Sequence, residues 1–370
     1  MQHTSTQKDS SDEWTFVSSK KKAKKHAKEK HLAKAKRQLH LLLDDDLNNQ
    51  QRICDPTEND VEQLIEHIKE CMKTLELFHT NRYKKRNNDM SSNFVQELLN
   101  TIMEAADLNY LRSKGSFKEE SCTQQKVREI ICYGIGNFDK VSASTLQSTK
   151  FSSPMIQLSC ALLLRKKLEI QSPILEIEES PSSAEEHQIL IPMRYYEPLI
   201  KPIERKVLQH FQVELLDNEQ GKRPICSSQN DTDQHHADPL GISLFFMPHC
   251  PMRLYSNLLW ANWEPSKLSR IVIFGNSFKA YDERILSSDQ RNDSSNAIFP
   301  ILDYVQEYSI GDIGDNHKTM RHLDIVGSSL SLAFNDCVII SFDVGKDDIC
   351  WPNRPTEYLV QYDCLESEIL

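Results

Sequence analysis

Two prolines bracket the most reactive pair of side chains in the sequence. Pro248-His249-Cys250-Pro251 sets an imidazole beside a thiol. The loop is stiff, because each proline also restricts the residue before it, here Met247 and Cys250. Such a pair could act as base and nucleophile, bind a metal, or offer a soft ligand. Neighbouring residues rarely face each other, so a mutual catalytic dyad is not expected. Cys-Pro also occurs as a haem-responsive dipeptide, with thiolate on iron, which makes Cys250 a haem candidate. The alternative is a purely structural loop. A second signal is Gly134-Ile135-Gly136. It is half of a phosphate-binding fingerprint, lacking the third glycine, and its alternative is a tight turn with positive φ. Glu197 stands where a ribose-binding acid would fall in a nucleotide site. His235, His236 and Asp238 have metal-binding side chains but lie in a polar stretch, where a solvated loop is the expectation. No phosphate-binding P-loop, nucleophile elbow, zinc-protease helix or kinase motif is present.

Chemistry at these positions needs elements to aim it. Val127 to Tyr133 is a short apolar run that reads as a strand and ends at the first glycine pair. Ser153 to Leu168 reads as a helix with Pro154 in its first turn, where the missing N–H costs nothing. Strands are expected within Gln188 to Tyr196, at Val213 to Leu216, Ser243 to Met247 and Ile271 to Phe274. Helices are expected near Ile200 to Phe211 and Arg253 to Trp263. Pro300 to Tyr308 reads as helical, and late strands are expected near Leu323 to Val326 and Val338 to Phe342. Strands alternating with helices predict a parallel sheet covered on both faces. Continuous apolar runs such as Ile271-Val272-Ile273-Phe274 fit strands buried on both sides. The fold expected is therefore α/β, a Rossmann-like, mostly parallel sheet, with antiparallel strands added by the tail at an edge.

Ligands of such sheets sit beyond the carboxyl ends of the strands. That rule gathers one candidate set. It comprises Gly134, Gly136 and Asn137 after the first strand, Glu197 after the second, and His249 and Cys250 after the strand at Ser243. Gly275, Asn276 and Ser277 follow the next strand, and Asn335 and Asp336 precede a late one. A nucleotide- or S-adenosylmethionine-type ligand is compatible with this set. Tyr255 and Asn257 are placed to face the same loops, while Trp260 and Trp263 read as packing residues.

Upstream of the sheet, Leu64, Ile65, Ile68, Met72, Leu75 and Phe78 recur at helical spacing. So do Phe94, Val95, Leu98, Leu99, Ile102, Met103 and Ala106. Before them lies KKKAKKHAKEKHLAKAKRQ, a basic run over residues 20–37 with good helix propensity and no apolar face. It reads as a fraying, solvated helix, a nuclear-import signal, or a contact for a polyanion. Trp14, Phe16 and Val17 form a small apolar island ahead of it. The chain thus divides into a disordered basic tail over 1–55, a helical extension over 56–120 and the α/β domain over 121–365. Polar inserts are expected near 178–187, 227–239 and 287–297.

The whole chain has 370 residues and a net charge of −10, so nucleic acid is expected only through residues 20–37, if at all. Its 10 cysteines show no CxxC spacing. They fit reduced thiols in cytosol or nucleus. No apolar run approaches the roughly 20 residues that span a bilayer.

One series of strings carries a resemblance. FFMPHCPMRLYSNLLWANW (Phe245 to Trp263) and IVIFGNSF (Ile271 to Phe278) resemble the Sensitivity to Red Light Reduced-like family. YGIGNF at Tyr133, QLSCALLL at Gln157, YEP at Tyr196, NEQGKR at Asn218 and FND at Phe334 fit the same pattern. The family usually has Asp at the position of Glu197, and Pro251 is not a steady part of its pattern. The resemblance implies regulation of haem biosynthesis and of circadian-clock gene expression, in cytoplasm and nucleus, with no established enzyme activity. A fungal relative implies a cytoskeletal alternative, in which the domain is a scaffold for protein partners.

Overall fold

The protein is described from a computed structural model covering residues 56–78, 93–113, 126–139, 151–171, 190–217, 220–225, 241–284, 293–310, 325–344 and 351–357. The basic run, Trp14, the histidine pair at 235–236 and the inserts at 178–187 and 227–239 lie outside those residues.

Two helices come first, α1 (Glu58–Leu77) and α2 (Phe94–Ser113). Thr57 starts α1 with a reciprocal cap: its hydroxyl accepts from the Asp60 N–H, and the Asp60 carboxylate accepts from the Thr57 N–H. Then follow β1 (Val127–Tyr133), α3 (Ser153–Gln171), β2 (Met193–Tyr196), α4 (Pro202–His210) and β3 (Glu214–Leu215). After them come β4 (Ile242–Met247), α5 (Met252–Ala261), α6 (Pro265–Leu268), β5 (Ile271–Asn276) and α7 (Phe278–Arg284). A 3-10 helix (Phe299–Tyr304), β6 (Val305–Ser309), α8 (Ile325–Phe334) and β7 (Cys337–Phe342) complete the described chain.

The sheet has seven strands in the order β3-β2-β1-β4-β5-β7-β6. Neighbours from β3 to β5 are parallel, and β7 joins antiparallel to both β5 and β6. The expected α/β class, mostly parallel with antiparallel strands at one edge, is what forms. Side chains alternate along each strand, so two cores result. Ile130, Cys132, Leu244, Phe246, Val272 and Phe274 face one core. Ile131, Tyr133, Phe245, Met247, Ile271 and Ile273 face the other. All twelve are fully buried, which explains why these strands read as unbroken apolar runs.

Helices α1 and α2 belong to the first core. Ile68, Leu75, Phe94, Leu98 and Ile102 are buried in the same cluster as the sheet. Helix α2 packs directly on β5 and β7, whereas α1 and α8 pack on α3, which itself lies on β1. Met155 through Arg165 are all buried, so this helix shows almost no amphipathic pattern. At the amino ends of the strands, Arg194 bridges Glu129 and Glu214, and the Ser243 hydroxyl donates to Glu129 at 2.6 Å.

Two expectations are corrected. Pro300 to Tyr308 is not one helix: the 3-10 turn stops at Tyr304, and Val305 pairs with Phe342 in an antiparallel ladder running to Ser309 and Val338. The spacing of Ile301, Leu302 and Val305 mimics a helix, but the alternation Val305-Gln306-Glu307-Tyr308 is that of a strand. The late strand expected at Leu323 to Val326 is also absent from the part described. Ile325 and Val326 open α8 instead, a ten-residue helix whose apolar content continues to Phe334. The end of the third insert is packed rather than free. Ala297 is fully buried and its N–H donates to the Ser256 hydroxyl at 2.6 Å.

Candidate functional site

Strand β1 lies between β2 and β4, so the chain reverses its winding direction at the β1–β4 boundary. In doubly wound sheets, that boundary opens a crevice at the carboxyl ends. Here Cys250 and Leu254 fill it. Gly134 has φ +60°, and a Cβ built on it would lie 2.9 Å from Cys250 Sγ and 3.7 Å from Leu254 Cδ1. The thiol donates to the Tyr133 carbonyl at 3.1 Å. Burial, and then the nearby Glu197 charge, pushes the Cys250 thiol well above its ordinary range. An iron ligand needs an accessible thiolate. Cys250, only 1% exposed and hydrogen-bonded as a thiol, does not fit a haem ligand in this arrangement.

The loop that carries Cys250 is clamped from β5. His249 takes the left-handed conformation, φ +56°, and its N–H donates to Asn276 Oδ1 at 2.9 Å. Asn276 Nδ2 donates to the Cys250 carbonyl at 3.2 Å and to the Tyr281 hydroxyl at 2.8 Å. Tyr281 in turn donates to the Cys250 carbonyl. The Asn276 N–H donates to the Tyr255 hydroxyl at 2.9 Å, and Tyr255 donates to the Met247 carbonyl. Gly275 makes room for that phenol, since a Cβ there would stand 2.5 Å from the Tyr255 hydroxyl oxygen. The His249 ring is exposed, with Nε2 3.1 Å from the Ala333 carbonyl near the end of α8.

A second cluster surrounds the loop after β1. Gly136, φ +81°, donates its N–H to Glu197 Oε2 at 3.0 Å, and Leu199 N–H donates to Glu197 Oε1 at 3.2 Å. The carboxylate expected to hold a ribose thus holds two backbone amides. Beneath it lies Glu204, fully buried. Its Oε1 accepts from the N–H groups of Phe138 at 2.6 Å and Asp139 at 3.2 Å, and Oε2 accepts from Lys201 N–H at 2.9 Å. Asn137, with its amide nitrogen turned inward, donates to Glu204 Oε2 and the Leu199 carbonyl, both at 3.1 Å. Desolvation raises the Glu204 carboxyl above its ordinary value, against the lowering effect of those amides.

The third group is tied to the sheet edge. Ser277 Oγ donates to Glu307 Oε2 at 2.8 Å, and the N–H groups of Phe278 and Lys279 donate to Glu307 Oε1. Asp336, φ +59°, accepts the Ser277 N–H on its carbonyl at 3.2 Å and pairs with Arg284 at 3.0 Å. Asn335 is exposed beside it. The candidate residues therefore lie at one end of the sheet, most of them in three hydrogen-bonded groups. A cleft of about 210 Å³ lies beyond the ends of β2 and β3, with Glu197, Arg205 and Asp217 among its lining residues.

Glu204, Tyr281 and Glu307 are the participants that sequence reasoning missed. Pro202 followed by an acid at the third helical position was a usable signal for Glu204. Glu307 was hidden by the helical reading of its segment. Asn257 turns away from these loops and donates to the Gln220 carbonyl at 2.7 Å. Among the described residues, no group of three or more His, Cys, Asp or Glu side chains is placed to hold a metal ion. Nor is any described helix long and apolar enough to cross a membrane.

The SRR1 domain family matches residues 95–341, a stretch that contains all three groups. The chain belongs to that family. It is 27% identical over 195 residues to the Arabidopsis thaliana protein named SENSITIVITY TO RED LIGHT REDUCED 1, covering 52% of this chain and 56% of that one. An SRR1-like protein of Mus musculus is 32% identical over 158 residues, covering 42% of this chain and 47% of the relative. A Drosophila melanogaster SRR1-like protein is 22% identical over 131 residues, covering 35% and 41%. The matches span about half the length of these curated relatives. No solved structure matches the chain. Helix α1 and residues 351–357 fall outside the SRR1 match.

Proposed function

We propose that this chain is a regulatory protein acting on haem biosynthesis and circadian-clock gene expression, in cytoplasm and nucleus, through protein contacts rather than through a catalysed reaction. One observation carries the reading. The polar groups at the strand ends are bonded to one another: Glu197 to Gly136 and Leu199, Glu204 to three amides, and Asn276 to His249, Cys250 and Tyr281. A catalytic site leaves donors and acceptors aimed at where substrate charge develops. Here they brace loops. Membership of the SRR1 domain family, with a relative named for sensitivity to red light, supports the regulatory side. In a clean knockout, haem levels or clock transcripts should shift. Unchanged values of both would sink the proposal.

The cleft at β2 and β3 favours a second reading, a small nucleotide-type ligand seated near Glu197. A ligand that binds only the folded state raises the apparent melting temperature. Thermal-shift screening against nucleotides, S-adenosylmethionine and haemin tests this. A shift that disappears in Glu197→Ala supports it, and no shift with any probe counts against it.

A further inference from the structure

Residues 351–357, Trp-Pro-Asn-Arg-Pro-Thr-Glu, form no helix or strand. They are nonetheless held along their length. The Trp351 ring packs on Trp263 and Tyr304, with centroids 5.9 and 4.8 Å away. Trp263 Nε1–H donates to the Pro352 carbonyl at 2.9 Å, and Trp260 Nε1–H donates to the Pro355 carbonyl at 3.1 Å. The Arg354 guanidinium lies 4.0 Å from the Trp260 ring centroid and donates to the Trp260 carbonyl at 3.2 and 2.7 Å. Thr356 N–H donates to the Ser294 carbonyl at 2.9 Å, and Glu357 pairs with Lys222 at 2.8 Å.

This is the chemistry by which extended proline peptides are read. Pro352 and Pro355 fix their own φ and keep Trp351 and Arg354 out of the helical region. Such a segment has no internal hydrogen bonds to give up, so its carbonyls are free for donors on an aromatic groove. Two indole N–H groups supply those donors, both to carbonyls of prolines. Asn353, Arg354, Thr356 and Glu357 remain exposed, unlike the side chains of a core segment.

We propose that the groove formed by Trp260, Trp263, Tyr304 and Lys222 is a peptide-recognition site. Residues 351–357 occupy it in cis, and an extended segment of a partner protein occupies it in trans. That segment has the same chemistry, an aromatic residue followed by Pro-x-Arg-Pro. Exchange of straps between two copies would conserve every contact while adding the cost of association, so a second copy gains nothing. The proposal does not depend on the haem or clock reading. A tethered ligand competes at an effective concentration of order millimolar. The intact chain should therefore bind a trans peptide weakly, and a chain with a loosened strap strongly.

The test uses the full chain and a fluorescently labelled peptide Trp-Pro-Asn-Arg-Pro-Thr-Glu, read by anisotropy. The Trp351→Ala/Arg354→Ala variant should bind the peptide at least about tenfold more tightly than the natural chain. Adding Trp260→Ala should abolish the gain. Equal affinities, or no binding by the loosened strap, would overturn the proposal. Native-state hydrogen exchange of the unaltered chain supplies an independent arm. The Thr356 amide should exchange by local opening, well before the amides of β4 and β5. Exchange only on global unfolding makes the segment core and overturns the idea. Self-association of the strap variant in sedimentation, without peptide binding, assigns the groove to a second copy and does the same.

Discussion

Gly275 has no room for a methyl group. The added carbon would lie 2.5 Å from the Tyr255 hydroxyl oxygen, 2.9 Å from its ring and 3.0 Å from the Met247 carbonyl. The phenol cannot retreat without leaving the Asn276 N–H unpaired. Overpacking of this kind costs about 1–3 kcal/mol, so Gly275→Ala should lower the urea midpoint by the corresponding amount at unchanged m-value. Glu204 gives a prediction in pH. Its folded carboxyl titrates above the ordinary value of 4.5, chiefly through desolvation. The folded state then binds the proton more tightly than the unfolded chain does. That contribution to stability is complete below 4.5 and is lost as pH rises through the raised value. Unfolding free energy measured against pH should fall across that window, and the fall should be smaller in Glu204→Gln. Identical slopes in the two proteins would contradict the assignment.

Among the elements, α7 depends on a residue from another segment. Glu307 in β6 accepts from Ser277 Oγ and from the first two N–H groups of the helix. Glu307→Ala leaves those donors without their acceptor, at a cost of about 1–3 kcal/mol. Circular dichroism should show β4 and β5 intact, while hydrogen exchange should quicken over Phe278 to Arg284. The same contact marks where sequence reading reaches its limit. Strands β4 and β5 were legible because burial on both faces leaves an unbroken apolar run. The loops after them were legible because polar residues and prolines interrupt that run. The pairing of Val305 to Ser309 with β7 was not, because register across a sheet leaves no local period. Glu204 and Glu307 act on amides in distant segments, and nothing near either one announces its partners. His249, Cys250 and Asn276 were found as a group, yet their spacing could not tell a ligand site from a clamp. The hydrogen-bond partners, visible only in three dimensions, make that distinction.

At the scale of the molecule, two cores sharing one sheet account for the chemistry of the thiols among the described residues. Cys71, Cys132, Cys160, Cys250 and Cys337 are all free and buried. Desolvation pushes Cys71 up to about 11 and Cys337 up to about 12, and raises Cys132, Cys160 and Cys250 as well. Thiolate is the reactive form. At pH 8, iodoacetamide should leave all five unmodified in the native protein and label them in guanidinium, by peptide mass mapping. Rapid native labelling of Cys250 would show that the β1–β4 boundary opens in solution, and would revive a ligand role for that residue.

The strap has an optical consequence. The chain has four tryptophans, and three of them, Trp260, Trp263 and Trp351, meet at this one seam. Arg354 places a cation against one indole face, and prolyl carbonyls hold two of the indole N–H groups. The intrinsic emission of the protein therefore reports chiefly on that seam rather than on the sheet. A change of colour or quenching without loss of secondary structure would signal the strap leaving its groove, with no label attached.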